Sequence, residues 1–378
     1  MNFLYCTPSV FVIGKEYEIL INTKENGIVS LLIDGKRYYE ENSGVLFSEK
    51  NHTKIRIPQS VLNTAKKYTV AFKKTIDRKA YFSLMAEEKY SEFSFKPLEK
   101  TENIHLYHVA DVHYGFETAK KTADYFGKDI DVFAINGDIG EVETIENYLE
   151  TCKFVGDISH GEIPVIFVRG NHDTRGKLAE LYTSYFPANG QKTYYTFELG
   201  VLKGLALDMG EDKKDDHYDE AYPNPHVYGG VNNFDLFREK ELAWLKELAL
   251  KNKDSIVFAV SHICPVQTTQ KPGGVFDIER ERYTAMNAEL ERLNIQFMLC
   301  GHLHKTFVLE PNDPASILPH NYPVVVGSEL INPQYLTNGL TVSNFYGAAI
   351  TINRGSIEVA FTDQNHEIVK QLTVQTKI

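Results

Sequence analysis

Residues 104–115 read IHLYHVADVHYG. Ile104 to Ala110 alternates apolar and polar side chains as a half-buried strand does, and at its end Asp111 and His113 stand one residue apart. Four further compact apolar runs end in the same kind of chemistry. Asp131 to Asn136 is followed by Gly137-Asp138, and Pro164 to Arg169 by Gly170-Asn171-His172-Asp173. Ser255 to Ser261 is followed by His262, and Ile295 to Cys300 by Gly301-His302-Leu303-His304. A strand tip fixes a Cα position, an adjacent glycine lets backbone approach closely, and imidazole with carboxylate suits zinc, iron or manganese. Five such tips can converge on one pocket. Amphipathic helices fit between the runs: Leu242, Leu245, Leu248 and Ala249 recur at helical spacing, and residues 141–156 and 277–293 read similarly. Alternating strands and helices imply a layered α/β core whose sites gather at the carboxyl ends of the strands.

Upstream the grammar is different. To about residue 98 the chain consists of short β-rich runs, YEILINT, IVSLLIDGKRYYE, TKIRIP, KYTVAFKK and EFSFKP, with no helical periodicity. Asp34-Gly35 between apolar and aromatic flanks is a strong hairpin signal. Six or seven such strands predict an immunoglobulin-like sandwich over residues 1–99, with a small open barrel as the lesser alternative. The polar stretch Leu98 to Asn103 places the boundary, and residues 100–378 form the second unit. After Gly327 the pattern returns to strands, including AAITI and SIEVAF.

The bulk numbers bound the function. At 378 residues, the soft prior of roughly 150 residues per domain favours two domains. A hydrophobic share of 43% and a charged share of 24% describe an ordinary globular chain. The net charge of -11 opposes non-specific nucleic-acid binding, so a small anionic substrate must be attracted locally. Cys6, Cys152, Cys264 and Cys300 lack CxxC spacing, which argues against a thiolate zinc site and a disulfide framework. The first twenty residues lack the basic region of a signal peptide, and no stretch approaches the roughly 20 apolar residues of a membrane span. The expected location is cytoplasmic, with Asn51-His52-Thr53 a chance sequon.

Taken in order, DxH, GD, GNHD, a lone His and GHxH resemble the calcineurin-like metallophosphoesterase superfamily, and the ordered set is far more specific than any member. The resemblance covers roughly residues 104 to 308. It implies a four-layer αββα sandwich preceded by an all-β immunoglobulin- or fibronectin-like domain, an arrangement similar to that of purple acid phosphatases. Carried over residue by residue, Asp111, His113 and His304 would hold one metal, Asn171, His262 and His302 the other, and Asp138 would bridge both. The implied cofactors are two divalent or trivalent ions of manganese, iron or zinc. His172 becomes the candidate general acid, with Asp173 the carboxylate to orient or stabilise it. One departure matters: the purple enzymes carry a tyrosine three residues after the motif aspartate, where this chain has Glu141. No tyrosinate-to-iron colour is expected, and His113 adds a ligand where the purple enzymes have none.

Outside the motifs the readings are plainer. His105 and His108, within the first strand, are read as structural, and His160, His217, His226 and His320 as solvated loop residues. Residues 208–232, DMGEDKKDDHYDEAYPNPHVYGGVN, are long, polar and aromatic, as an active-site lid would be. Candidates for substrate contact are Arg175, Asp208, His217, Tyr222 and Tyr228. The function expected is hydrolysis of a phosphomonoester or phosphodiester, with a small phosphoester as partner and nucleic acid only as nucleotide. The rivals are a non-catalytic scaffold resembling the retromer subunit, opposed by the complete ligand set, and a nuclease, opposed by the charge.

Overall fold

The computed structural model describes residues 3–221, 230–250, 254–266, 278–336 and 339–377. Two sheets lie face to face. The larger runs, in spatial order, Ile368–Gln375, Ser356–Thr362, Asn344–Asn353, Ile104–Val109, Val132–Asn136, Pro164–Val168, Ser9–Ile13, Glu16–Asn22 and His52–Pro58. Its centre is parallel, from Ile104–Val109 through to Ser9–Ile13, and both flanks are antiparallel. The smaller sheet orders Tyr195–Leu199, Leu202–Leu207, Ile256–Ser261, Phe297–Cys300, Val324–Val326 and Phe307–Leu309. Between them lies a core that mixes Leu106, Ala134 and Ile166 of one sheet with Phe197, Phe258, Val260 and Leu299 of the other.

Helices cover the outer faces. Phe116–Ala123 and Ile145–Ser159 pack on the larger sheet, burying Ala119, Tyr148, Cys152 and Val155 against Val109, Phe133 and Phe167. Phe234–Glu247 and Arg280–Arg292 cover the smaller, burying Leu245, Met286 and Leu290 against Leu207, Ala259 and Met298. The order helix, sheet, sheet, helix is the expected four-layer αββα sandwich. Ile145–Ser159 starts where it does because Thr144 and Asn147 form a reciprocal capping box, and it stops at His160 in the left-handed conformation.

The amino-terminal region is β-rich, as read. Lys89–Ser94, Lys67–Arg78, Gly27–Ile33 and Lys36–Tyr39 make a separate sheet, with a hairpin at Asp34 (φ 47°) and Gly35 (φ 77°). Its inner side chains, Val29, Leu31, Tyr68 and Val70, share one apolar core with Ile19, Ile21, Ile55 and Ile57. Those last four belong to strands of the larger sheet. The change of sequence grammar near residue 100 is therefore not a break in hydrogen bonding: Ser9–Ile13 pairs parallel with Pro164–Val168. All four cysteines are buried thiols. Among the described residues, no helix is long and apolar enough to cross a membrane.

Candidate metal centre

The five ligand loops leave adjacent strands of both sheets, and their backbones are bent sharply to bring side chains inward. Asp111 (φ 53°), His113 (φ 42°), Asp138 (φ 54°), His302 (φ 69°) and His304 (φ 50°) all occupy the left-handed region. Each such non-glycine residue costs about 1–2 kcal/mol, a strain that concentrates where geometry serves chemistry. Two glycines permit the close approach. A Cβ on Gly137 would lie 2.5 Å from Gly170 Cα and 2.7 Å from His262 Nδ1, and one on Gly170 would strike the Asp138 carboxylate.

Asp111, His113 and His304 form one cluster of ligand atoms. His304 Nε2 is 3.4 Å from Asp111 Oδ1 and 3.1 Å from His113 Nε2. A second cluster comprises Asp111, Asp138 and His262, with His262 Nε2 3.1 Å from Asp138 Oδ2 and 3.7 Å from Asp111 Oδ1. His302 Nδ1 faces Asn171 Oδ1 at 3.0 Å. Asp138 belongs to both sides, since its Oδ2 also lies 3.8 Å from His113 Nε2. All seven residues expected as ligands are thus brought together, with Asp111, Asp138, Asn171 and His262 buried.

Surrounding groups fix these ligands. His262 Nδ1 donates to the Asn136 carbonyl at 2.6 Å, which turns Nε2 toward the carboxylates. The Asn136 amide donates to His108 Nε2 (3.0 Å) and to the carbonyls of Ser261 and Leu299 (both 3.2 Å), tying the two sheets together behind the centre. Asp111 accepts the His302 backbone N–H, and Asp138 Oδ1 that of His172 at 2.8 Å. Burial would lower the pKa of His262, yet Asp138 and Asp111 outweigh it and push the ring up to about 10. That concentration of negative charge calls for cations. One atom supports the fit to metal directly: Asn171 Nδ2 is buried without a hydrogen-bond partner, the amide orientation being interchangeable.

Asp173 has a different place from the one expected. Its Oδ2 accepts the backbone N–H groups of Gly170 (2.7 Å) and Asp138 (3.1 Å), so it braces two ligand loops where the sequence had suggested a partner for the His172 ring. Burial and then Asp138 push its carboxyl up to about 7. His172 forms a third cluster of ligand atoms with His113 and Asp138, its ring 4.8 Å from that of His113, and its Nε2 accepts from Arg175 Nη1 at 3.1 Å. Arg175 is clamped in turn by Glu211, with Nε 2.6 Å and Nη2 2.5 Å from its carboxylate oxygens, and by Asp212 at 3.1 Å.

Asp208 is no substrate contact. It is fully buried, paired with Arg169 at 2.7 Å and bonded to Thr193 and to the Gly210 N–H, because the segment leaves its strand through the core before reaching the surface. His217 lines a pocket with Arg175. Tyr222, His226 and Tyr228 lie outside the described residues. His320, read as a solvated loop residue, is instead buried, its ring between the Tyr322 carbonyl (2.6 Å) and the Ser316 hydroxyl (2.7 Å). Local polarity around it had hidden those partners. Glu211 and Asp212 were missed altogether: within DMGEDKK they look like solvated charge, yet Arg238, itself wholly buried, holds the carbonyls of Met209 and Glu211 and turns both carboxylates inward.

A four-layer αββα sandwich with imidazoles and carboxylates at its facing strand tips is the architecture of a metal-dependent phosphoesterase. The chain belongs to the calcineurin-like phosphoesterase family, whose pattern matches residues 104–306, more than half its length. Among solved structures it is similar to the purple acid phosphatase PPD1 from yellow lupin (Lupinus luteus) seeds. The identity is 11%, the match covers 97% of this chain and 74% of that one, and the TM-score is 0.58. PhoD is similar at 10% identity, with 98% and 90% coverage and a TM-score of 0.53. At such identities the likeness is one of fold. No curated protein matches the chain.

Proposed function

We propose that this protein hydrolyses a phosphoester, mono- or diester, at a pair of manganese, iron or zinc ions. The observation that carries the reading is the gathering of ligand atoms around Asp111 and Asp138, with His113 and His304, with His113 and His172, and with His262, beside the contact between Asn171 and His302. Asp111, His113 and His304 would hold one ion, Asn171, His262 and His302 the second, and Asp138 both. When bound, such ions lower the pKa of water enough to supply a nucleophile near neutral pH and polarise the phosphoryl oxygens.

The remaining residues position and move protons. The bond from His262 Nδ1 to Asn136 holds that ring as an Nε2 ligand. Asp173 keeps the GD and GNHD loops at a fixed separation. His172 is the group assigned to protonate the leaving alkoxide. At rest its Nε2 accepts from Arg175, so a proton on the neutral ring sits at Nδ1. A substrate phosphate that draws Arg175 to itself frees Nε2, which must take up a proton before it can pass one to the leaving oxygen. We assign catalysis to residues 100–378, with residues 1–99 completing the larger sheet and shaping access, and a cytoplasmic site of action in keeping with the four buried thiols.

The test is a screen of phosphomonoesters, cyclic and linear diesters and nucleotides, with metal content measured on the same preparation. Hydrolysis that scales with two metal equivalents per chain supports the reading. Two bound metals with no turnover of any class would return the protein to the scaffold reading.

A further inference from the structure

A pocket of about 620 Å³ opens beside His172. One wall is the turn after the GNHD motif, with Thr174, Arg175, Lys177, Ala179 and Glu180, and the other is Lys213, His217, Val231 and Asn232. Its volume falls in the range that holds a small organic ligand. Arg175 belongs to this wall and also touches His172, so the pocket joins the centre on the side where the leaving group departs.

The wall gathers cations, most of them compensated by neighbouring acids. Against a net -11, the lining among the described residues presents Arg175, Lys177 and Lys213 together with the Glu180 carboxylate. Two of the cations are held from behind by buried acids: Arg175 by Glu211, and Lys213 by Asp212 at 2.7 Å. Lys177 has no ion-pair partner among the described residues, its backbone N–H being 3.5 Å from Glu143. Ala179 and Val231 add apolar surface to the two walls. A carbon skeleton of a few atoms carrying a second negative charge matches that lining; a neutral alcohol leaves Lys177 unmatched.

We propose that this pocket receives the alcohol portion of the substrate and selects alcohols that carry a second anionic group, carboxylate or phosphate, recognised by Lys177. The inference rests on the phosphoester reading above and names the substrate class. Local attraction by this wall also answers how an acidic protein gathers an anionic substrate.

Three esters of one carbon skeleton test it: glycerol 3-phosphate, 3-phosphoglycerate and 2,3-bisphosphoglycerate. Their dissociation constants are measured calorimetrically on the protein as purified, and their kcat/KM in parallel. A charged contact that keeps partial solvent exposure predicts 3-phosphoglycerate, bisphosphoglycerate or both to bind about 10-fold tighter than glycerol 3-phosphate. Which of the two is favoured separates a carboxylate from a phosphate site. Lys177→Gln should erase most of the preference and Lys177→Glu should invert it, and Lys177 is exposed, so both variants should fold. Equal binding of all three esters, or a preference that survives both substitutions, overturns the inference. Binding preference without turnover would sink the phosphoester reading and leave the anion pocket standing.

Discussion

Two strands lie side by side in the larger sheet, parallel and in register, with Val10 opposite Pro164 and Phe11 opposite Val165. One reads SVFVI and the other PVIFV, and every residue of both is buried. They are close to interchangeable as packing. Yet Ser9–Ile13 runs into Gly14 and Lys15 and turns back as a hairpin, while Pro164–Val168 runs into Arg169, Gly170, Asn171 and His172. The sheet supplies a position, and only the residues beyond the strand tip supply chemistry.

The comparison can be broken most severely by removing one member. A chain beginning at Thr101 loses Ser9–Ile13, leaving the edge of Pro164–Val168 unpaired and apolar in the middle of the sheet. We expect it to be insoluble or unfolded by circular dichroism. A folded, metal-binding product would mean that the two strands are separable.

The next effects act beyond the tips. Asp138→Asn should weaken both metal sites together and lower kcat/KM about 1,000-fold, reflecting several kcal/mol of lost charge stabilisation. Elemental analysis decides it, since full occupancy of both sites in the variant would remove Asp138 from the bridge. His172→Ala should lower kcat by roughly 100- to 10,000-fold on an alkyl phosphoester and markedly less on a p-nitrophenyl ester, which departs without a proton. Metal content should stay near wild type. Equal losses on both esters would give His172 a charge-stabilising role together with Arg175.

The smallest effect probes the wall behind the tips. Burial, opposed by Asp111, lowers the pKa of His108 to about 3, and its Nε2 accepts from Asn136. Unfolded, it titrates near 6.5. Between those values the unfolded chain binds a proton that the folded chain refuses, so stability falls as pH drops from about 6.5 toward 3, by at most ~1.4 kcal/mol per pH unit. His108→Gln, which keeps a hydrogen-bonding side chain, should flatten this slope in denaturant titrations across pH 6.5–4.5. An unchanged slope would assign the dependence to other groups.

The same comparison explains what could be read in advance. Asp111, His113, Asp138, Asn171, His262, His302 and His304 were legible because each follows an apolar run, and the identity of a ligand is a property of one residue. The sharing of a sheet by Ser9–Ile13 and Pro164–Val168 was not, because a fully buried parallel strand is a continuous apolar run that carries no mark of its partner. Glu211, Asp212 and Asp208 failed for a related reason. Their charge suggests solvent, and only the distant guanidiniums of Arg175, Arg238 and Arg169 make burial tolerable.

The left-handed backbone at Asp111, His113, Asp138, His302 and His304 sets this protein's durability against its chemistry. Glycine would relax the backbone at each position, so at His304, the most exposed of these side chains, His304→Gly is expected to raise the melting temperature while removing a candidate ligand. Selection for thermal robustness alone would therefore erode these loops first, and a descendant without the chemistry should be recognisable by glycines where the candidate ligands once stood.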